Sequence, residues 1–134
     1  MSIVDLELDG PNTSRRLFDI YSISHITHGI ILYWVLPSKH FIPLGLALEF
    51  AWEMFENTSY VIDKYRSNRK FQNYRGDSNI NIVGDMFFTY LGLIFASKCS
   101  ATTAFVALIL MELILSPFNA NFLYLSVGSL IKLN

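Results

Sequence analysis

Acidic side chains recur at helical spacing inside two of the most apolar stretches of this chain. The first set is Glu49, Glu53 and Glu56, and the second set, with one amide, is Asp77, Asn81 and Asp85. The spacing within each set places its members on one face of a helix. Because ionisable groups are costly in apolar surroundings, we expect these two faces to meet each other, a protein interior or a water-filled cavity. The spacing therefore predicts one buried polar site.

Three of these acids are candidates for catalysis. Glu49 lies two helical turns inside its apolar stretch, where a carboxylate must be protonated, paired or bound to a metal. Asp85 lies two turns inside the other stretch, too deep to cap a helix. Asp77 precedes Ser78 at the start of that helix, and either residue can cap it, while Gly76 permits the turn before it. Buried carboxylates of this kind can serve as general acids or bases, so we assign Asp85, Glu49 and Asp77 to a catalytic set.

Two histidines, His25 and His28, share a helix face at i and i+3. They could bind one metal ion or pass a proton, and they could equally be imidazoles that hydrogen-bond to neighbouring helices. The HxxH pattern alone has a high false-positive rate, but carboxylates on two other apolar segments favour the metal interpretation. We predict His25, His28 and Glu53 as ligands of a divalent metal and leave the identity of the ion open.

The elements that must position these residues are apolar helices. Of the 134 residues, 52% are hydrophobic and 16% are charged, which is more apolar surface than a soluble domain of this size can bury. The apolar stretches are residues 17–36, 41–62, 79–96, 101–116 and 122–133. The last is short for a bilayer crossing. We predict an all-α integral membrane helical bundle with about four transmembrane helices plus a short C-terminal helix.

We divide the chain into an N-terminal tail with an interfacial cap, residues 1–16, and a single transmembrane helical domain, residues 17–134. The tail is expected to be exposed, and Asn12, Thr13 or Ser14 is expected to cap the first helix. Within the domain, residues 63–78 form a basic polar linker. Seven basic residues near the segment ends fall on one side of an alternating bundle and two on the other. This bias predicts that the N-terminus and the linker lie on the cytoplasmic or equivalent face.

The linker carries the residues that we expect to contact a partner or a lipid headgroup. These are Arg66, Arg69 and Arg75. Interleaved with them are aromatic residues that could bind an anionic headgroup or anchor a loop at the interface, namely Tyr60, Tyr65, Phe71 and Tyr74. We expect Glu56 to pair with Arg66 or Arg69. A net charge of −1 gives no reason to expect nucleic acid as a partner.

One further acid lies on the fourth apolar segment. We expect Glu112 to complete the polar cluster or to pair with Lys98, and we expect Asn119 and Asn121 to serve the turn that follows Pro117.

Four stretches of the sequence resemble the DUF2585 (UPF0314) family of small multi-pass membrane proteins. They are SHITHG, LEFAWEMFEN, YRGDSNINIVGD and MELILSPFNANFLYL. The chain departs from the family pattern at Ile82, where a small polar residue is expected, and lacks the basic–acidic pair expected before Asn119. The GDSxxN…D pattern is also loosely similar to VanZ-like membrane proteins. The resemblance implies a membrane protein whose polar stretches belong together, and it brings no established activity.

Two classes of function follow from these patterns. Buried polar networks hold structure more often than they catalyse. The first interpretation is therefore a structural or interaction component of a membrane assembly, including a membrane-containing virus particle, with lipids and other subunits as partners. The alternative is a membrane-embedded enzyme that uses a metal or a proton relay to act on a lipid or polyprenyl-phosphate headgroup. The chain carries no P-loop, Rossmann, nucleophile-elbow or zinc-protease motif.

Overall fold

The computed structural model describes residues 2–131, which are mostly helical, and this confirms the predicted all-α class. The main helices are α1 His25–Val35, α2 Phe41–Glu56, α3 Ser59–Arg66, α4 Asn79–Lys98 and α5 Ala101–Leu115. Short 3₁₀ turns are Ser22–Ser24 and Ser116–Phe118, and the chain continues into a π-helical segment, Leu123–Gly128, and helix α6, Ser129–Ile131. Two short strands, β1 Val4–Asp5 and β2 Phe18–Asp19, pair in parallel. The end of the predicted C-terminal helix, residues 132–133, lies outside the described residues.

Helices α1 and α4 touch backbone to backbone at one crossing point. Gly29 of α1 lies against Gly92 of α4, and a Cβ built on Gly29 would lie 2.8 Å from the Gly92 Cα. Small residues at a crossing allow two helices to approach this closely. Helices α1 and α4 both begin at the same end of the bundle. The side chains that lie between that end and the crossing therefore face each other across the two helices.

The first helical element begins at Ser22, later than the predicted start at residue 17. Phe18 and Asp19 form strand β2, and the Asp19 carboxylate then accepts the backbone N–H groups of Tyr21 and Ser22, each at 2.8 Å. An acidic side chain that accepts the first free N–H groups of a helix acts as its N-terminal cap. Asp19 therefore caps the 3₁₀ turn that precedes α1, and the prediction of a cap at residues 12–14 is wrong.

Residues 2–12 are mostly exposed, as expected for the tail, but the N-terminal segment is also tied to the body of the protein. Thr13 and Ser14 are buried. The Ser14 carbonyl accepts the N–H of Ser78 at 2.8 Å, and the Asp9 carboxylate accepts the N–H of Asn73 at 2.9 Å. These bonds hold the segment against the residues that precede α4.

The predicted second apolar segment, residues 41–62, divides into α2 and α3 at Asn57. The Asn57 amide nitrogen donates to the Glu53 carbonyl at 2.9 Å and to Asp77 Oδ2 at 3.0 Å, while Asn57 Oδ1 accepts the Asp77 N–H at 2.6 Å. The Asn57 side chain is therefore hydrogen-bonded both to the last turn of α2 and to Asp77. The chain turns there, and α3 runs across the end of the bundle.

The linker, residues 63–78, is packed, which corrects its prediction as a polar loop. Tyr65, Phe71 and Tyr74 are buried together with Val61 in one hydrophobic cluster, and the rings of Tyr65 and Tyr74 meet edge to face at 5.4 Å. Three of the four aromatic residues considered for headgroup contact therefore form a core, because their rings bury more apolar area against α3 than in an extended loop. Only Tyr60 among them is exposed.

The polar residues gather at one end of the bundle. Helices α1 and α4 begin at this end, and α2 and α5 finish there. We call the layer that covers this end the cap: residues 2–19, α3 with the linker to residue 78, and residues 119–131. Contacts within the cap include Tyr65 Oη to the Leu125 carbonyl at 3.2 Å and Asn68 Nδ2 to Tyr124 Oη at 2.8 Å.

Two helical stretches, Asn79–Lys98 and Ala101–Phe118, are long and apolar enough to cross a membrane. Helices α1 and α2, with 11 and 16 residues, are shorter than the predicted spans 17–36 and 41–62. The outward faces of α2, α4 and α5 carry exposed large apolar side chains, among them Leu48, Phe50, Val83, Phe87, Phe105, Ile109 and Leu113.

Candidate metal centre

Five ionisable side chains from three helices meet under the cap, and we call them the polar centre. They are His25 and His28 of α1, Glu49 and Glu53 of α2, and Asp85 of α4. All five are buried. The i, i+3 and i, i+4 spacings found in the sequence place these residues on facing helix sides.

Glu49 joins the two histidines. His25 Nδ1 is hydrogen-bonded to Glu49 Oε1, and His28 Nδ1 lies 2.9 Å from Glu49 Oε2. The other nitrogen of His28, Nε2, lies 3.3 Å from Ser126 Oγ in the C-terminal segment. One carboxylate thus fixes the orientation of both imidazole rings. Carboxylates that are hydrogen-bonded to metal-binding histidines have the same effect in known metal sites.

Glu53 and Asp85 both lie close to His25 without making a hydrogen bond to it. His25 Nδ1 lies 3.6 Å from Glu53 Oε1, and His25 Nε2 lies 3.8 Å from Asp85 Oδ2. Both oxygens of Glu53, which is 0% exposed, and Oδ1 of Asp85 are buried with no hydrogen-bond partner. Buried polar atoms are almost always paired, so three orphaned carboxylate oxygens around one imidazole are unusual.

Two other buried acids show what a structural carboxylate looks like in this protein. Asp19 accepts bonds from the backbone of Ser14, Tyr21 and Ser22. Glu112 accepts three bonds at 2.9–3.0 Å, from Asn121 Nδ2 and from the N–H groups of Phe122 and Leu123. Glu112 thereby starts the C-terminal helical segment, and it neither joins the polar centre nor pairs with Lys98, the two roles expected for it.

The charges of the polar centre are not balanced by basic side chains. Within residues 2–131, no lysine or arginine nitrogen lies within 4.0 Å of a carboxylate oxygen. Arg66, Arg69 and Arg75 are exposed on the cap, and the expected pairing of Glu56 with Arg66 or Arg69 is wrong, since Glu56 Oε1 accepts the Tyr65 hydroxyl at 2.7 Å. Two imidazoles therefore face three buried carboxylates, a set that attracts a cation.

The donor atoms of the polar centre are close enough to share an ion. In the set His25, His28 and Glu49, and again in the set His25, Glu53 and Asp85, one ligand atom from each residue lies within 4.8 Å of the others. Imidazole nitrogen with carboxylate oxygen is the donor combination of zinc and non-haem iron sites. Each set consists of three of the six residues that the sequence assigned to metal or catalysis, and His25 belongs to both sets.

Asp77 lies beside this centre, in a second acidic group with Glu53 and Glu56. Its Oδ2 accepts bonds from Asn57 Nδ2 at 3.0 Å and from the Tyr74 hydroxyl at 2.9 Å. Burial raises the pKa of Asp77 above its usual range, and these hydrogen bonds partly offset that effect. Asp77 is thus a partnered carboxyl at the edge of the site, and it does not contact His25 or His28.

A polar cavity of about 50 Å³ separates the polar centre from the cap. His25, His28 and Asp85 form its inner side, and Glu56 and Asp77 belong to its wall. A cavity needs roughly 10–15 Å³ to hold a water molecule. This space can therefore hold water or a small polar group next to the histidines and Asp85.

Asp19 and Trp52 were not assigned a role from the sequence, and the role expected for Glu112 was wrong. Asp19 could have been found from the Asp-x-x-Ser spacing to Ser22, which is typical of a capping pair. Trp52 lines the cavity, and its Nε1 is buried without a partner. Glu112 gives no local signal, because its partners lie nine to eleven residues later, beyond a turn.

The chain matches the family described as "Protein of unknown function (DUF2585)" over residues 1–132. It is 38% identical over 94 residues to a UPF0314 protein of Brucella anthropi, an alignment that covers 63% of this chain and 47% of the relative. It is 34% identical over 110 residues to a UPF0314 protein of Agrobacterium fabrum, with 77% and 56% covered.

A UPF0314 protein of Sphingopyxis alaskensis is 39% identical over 92 residues, with 63% and 49% covered. The chain therefore spans about half the length of the curated relatives it matches. No solved structure matches the chain significantly. The match over nearly the whole sequence confirms the resemblance seen in the polar stretches, and the chain belongs to the DUF2585 family.

Proposed function

We propose that the protein is a membrane-embedded, metal-dependent enzyme that acts on a lipid headgroup. The observation that carries this proposal is the set of orphaned carboxylate oxygens of Glu53 and Asp85 close to His25. A polar network that served only as scaffolding would satisfy its members, as Asp19 and Glu112 are satisfied. A divalent cation bound to Glu53, to Asp85 Oδ2 and to imidazole nitrogen would give the Glu53 oxygens a partner and offset the negative charge, and it would leave Asp85 Oδ1 free to accept a proton.

The membrane part of the proposal rests on the apolar surface. Helix α4 has 20 residues, enough to cross the roughly 30 Å hydrocarbon layer at about 1.5 Å per residue. Only 17% of the most apolar part of Ala101–Phe118 is buried within the chain. Exposed apolar surface of this extent marks contact with lipid or with another protein. In our proposal α1, α2, α4 and α5 form the four-helix membrane domain.

The short lengths of α1 and α2 fit a polar centre near one face of the bilayer. The cap would lie at that face, with the linker arginines in the headgroup layer. The excess of basic residues on this side favours the cytoplasmic or equivalent face. Arg66, Arg69 and Arg75 are exposed there and are free to contact an anionic headgroup or a partner.

The reaction we propose is hydrolysis of a lipid phosphomonoester. A divalent ion in the centre would lower the pKa of water and offset the negative charge of the phosphate. Asp85, whose Oδ1 has no other partner, takes the proton of the attacking water. The water oxygen forms a bond to phosphorus, the bond from phosphorus to the lipid oxygen breaks, and that oxygen takes up the proton. The products are inorganic phosphate and the lipid alcohol.

The non-enzymatic role predicted first, a structural or interaction component of a membrane assembly, is the competing proposal. The observation in its favour is the outer face of α5, where Phe105, Ile109 and Leu113 are exposed and would suit a neighbouring helix as well as lipid. Under this proposal the polar centre only fixes the bundle.

The two proposals are separated by measuring phosphate release. The purified protein is incubated with vesicles that contain phosphatidic acid or a polyprenyl phosphate, with and without a chelator. We expect release that the chelator abolishes, that Asp85→Asn and Glu49→Gln abolish, and that Asp63→Asn, an exposed position on α3, leaves unchanged. Absence of release from every phosphorylated lipid, with the wild type folded and loaded with metal, would overturn the enzymatic proposal.

A further inference from the structure

A second cavity, an apolar groove of about 340 Å³, lies on the side of the bundle next to the polar centre. Its walls are mostly apolar and come from α1, α2 and the C-terminal segment, with Leu32, Leu48, Phe122 and Val127 among them. Leu48 and Val127 are 49% and 36% exposed, so the groove opens on the apolar outer surface. Its volume falls within the range of small-molecule sites, about 300–1,000 Å³.

The groove and the polar cavity share three lining residues, His28, Trp52 and Ser126. Glu49, which orients both histidines, also lines the groove. The molecule thus has an apolar space open to the outside and, directly beside it, a polar space next to the ionisable centre, with these side chains lining both. A ligand that occupied both would be polar at one end and apolar along its length.

One atom at this junction lacks a partner. Trp52 Nε1 is buried and has no hydrogen-bond acceptor. The indole N–H is only a donor, and a buried tryptophan normally finds an acceptor. An oxygen atom of a ligand headgroup at the junction would supply one. The ring itself packs against His28, with a centroid distance of 5.9 Å, so the donor is held in place.

We propose that the groove binds one hydrocarbon chain of a membrane lipid whose headgroup lies at the polar centre and accepts a hydrogen bond from Trp52. This inference rests on the proposed function and deepens it, because it gives the substrate a path from the side of the bundle and an orientation. The chain enters past Leu48 and Val127 and lies along Leu32 and Phe122. The headgroup then reaches His28 and the metal ligands without leaving the bilayer.

The test uses tryptophan fluorescence and a phosphatidic acid with a dibrominated acyl chain, because bromine quenches indole only at short range. The whole protein in detergent carries Trp34→Phe, which leaves Trp52 as its one tryptophan. We expect quenching that saturates at stoichiometric lipid. Val127→Phe, which narrows the groove, should remove the saturable part. Val106→Phe, a matched change at an exposed position on α5, should leave it intact.

Quenching that rises in proportion to bulk lipid and is equal in both valine variants would overturn the proposal, since it reports lipid around the protein only. A groove occupied by a second copy of the chain would do so as well, and it would show as a dimer whose Trp52 is shielded from lipid. Metal content is measured on the same samples. Metal with no saturable quenching defeats this inference alone, while saturable quenching without metal defeats the metal-dependent function and leaves the lipid site standing.

Discussion

His25 of α1 faces Asp85 of α4, and the two side chains are close without being hydrogen-bonded: His25 Nε2 lies 3.8 Å from Asp85 Oδ2. Two ligands bonded at about 2.1 Å to one tetrahedral ion lie roughly 3.4 Å apart. The pair therefore has nearly the spacing of two ligands of one metal, while a direct hydrogen bond would be about 0.8 Å shorter. The predictions below follow from this relationship and from the elements that set it.

Removing the charge of Glu53 should separate metal binding from folding. Because both Glu53 oxygens are buried without hydrogen-bond partners, Glu53→Gln breaks no hydrogen bond, and the stability of the metal-free protein should stay within ~1 kcal/mol of the wild type. Metal binding should be lost. Thermal unfolding in detergent, with and without a chelator, measures both effects, and a large loss of stability in the metal-free variant would contradict the account.

Removing the charge of Glu112 should have the opposite effect. Glu112 holds the N–H groups of Phe122 and Leu123, so Glu112→Gln should lower the free energy of unfolding by about 1–3 kcal/mol and leave metal stoichiometry unchanged. The same unfolding experiment, paired with elemental analysis, checks this. Loss of metal in Glu112→Gln at full stability would mean that the two acids had been assigned the wrong roles.

The crossing of α1 and α4 should not tolerate a methyl group. In Gly92→Ala the new Cβ would overlap the backbone carbonyl oxygen of Ile26 and lie 3.0 Å from the Gly29 Cα, so the helices must move apart, at a cost of at least about 1–3 kcal/mol. Gly128→Ala is the matched control, because its Cβ would lie 3.4 Å from the nearest atom, an ordinary contact. Unfolding midpoints of the two variants measure the difference, and equal stability would contradict the close packing described here.

Replacing Trp52 by phenylalanine should weaken headgroup binding while the apolar ring is kept. The lost donor corresponds to roughly 1.5–3 kcal/mol for a charged acceptor, which is about a tenfold or larger loss of affinity. Calorimetric titration with a short-chain phosphatidic acid measures it. Trp34→Phe, on the far end of α1, serves as the control and should bind like the wild type.

The sequence predicted the all-α class and the helix faces that carry the acids, because helical spacing and apolar runs are local signals. It placed His25, His28, Glu49, Glu53 and Asp85 in one polar site, and the structure brings these five together. Whether they catalyse or bind metal stays a prediction.

The cap could not be predicted from local signals. The 3₁₀ turn before α1 depends on Asp19, whose oxygens accept hydrogen bonds from residues on both sides of it. The packing of Tyr65 and Tyr74 depends on the turn at Asn57. Such contacts join segments that are distant in the chain, so charge and aromatic content alone suggested an exposed linker where a small core exists.

The measurement that tests the central claim most directly is the metal stoichiometry of the purified protein, beside Asp85→Asn and His28→Ala. The account predicts a stoichiometric transition metal in the wild type, lost in both variants while they remain folded. A wild type that binds no transition metal at neutral pH when the ion is supplied, with both variants equally stable, would contradict it and leave the polar centre as internal scaffolding.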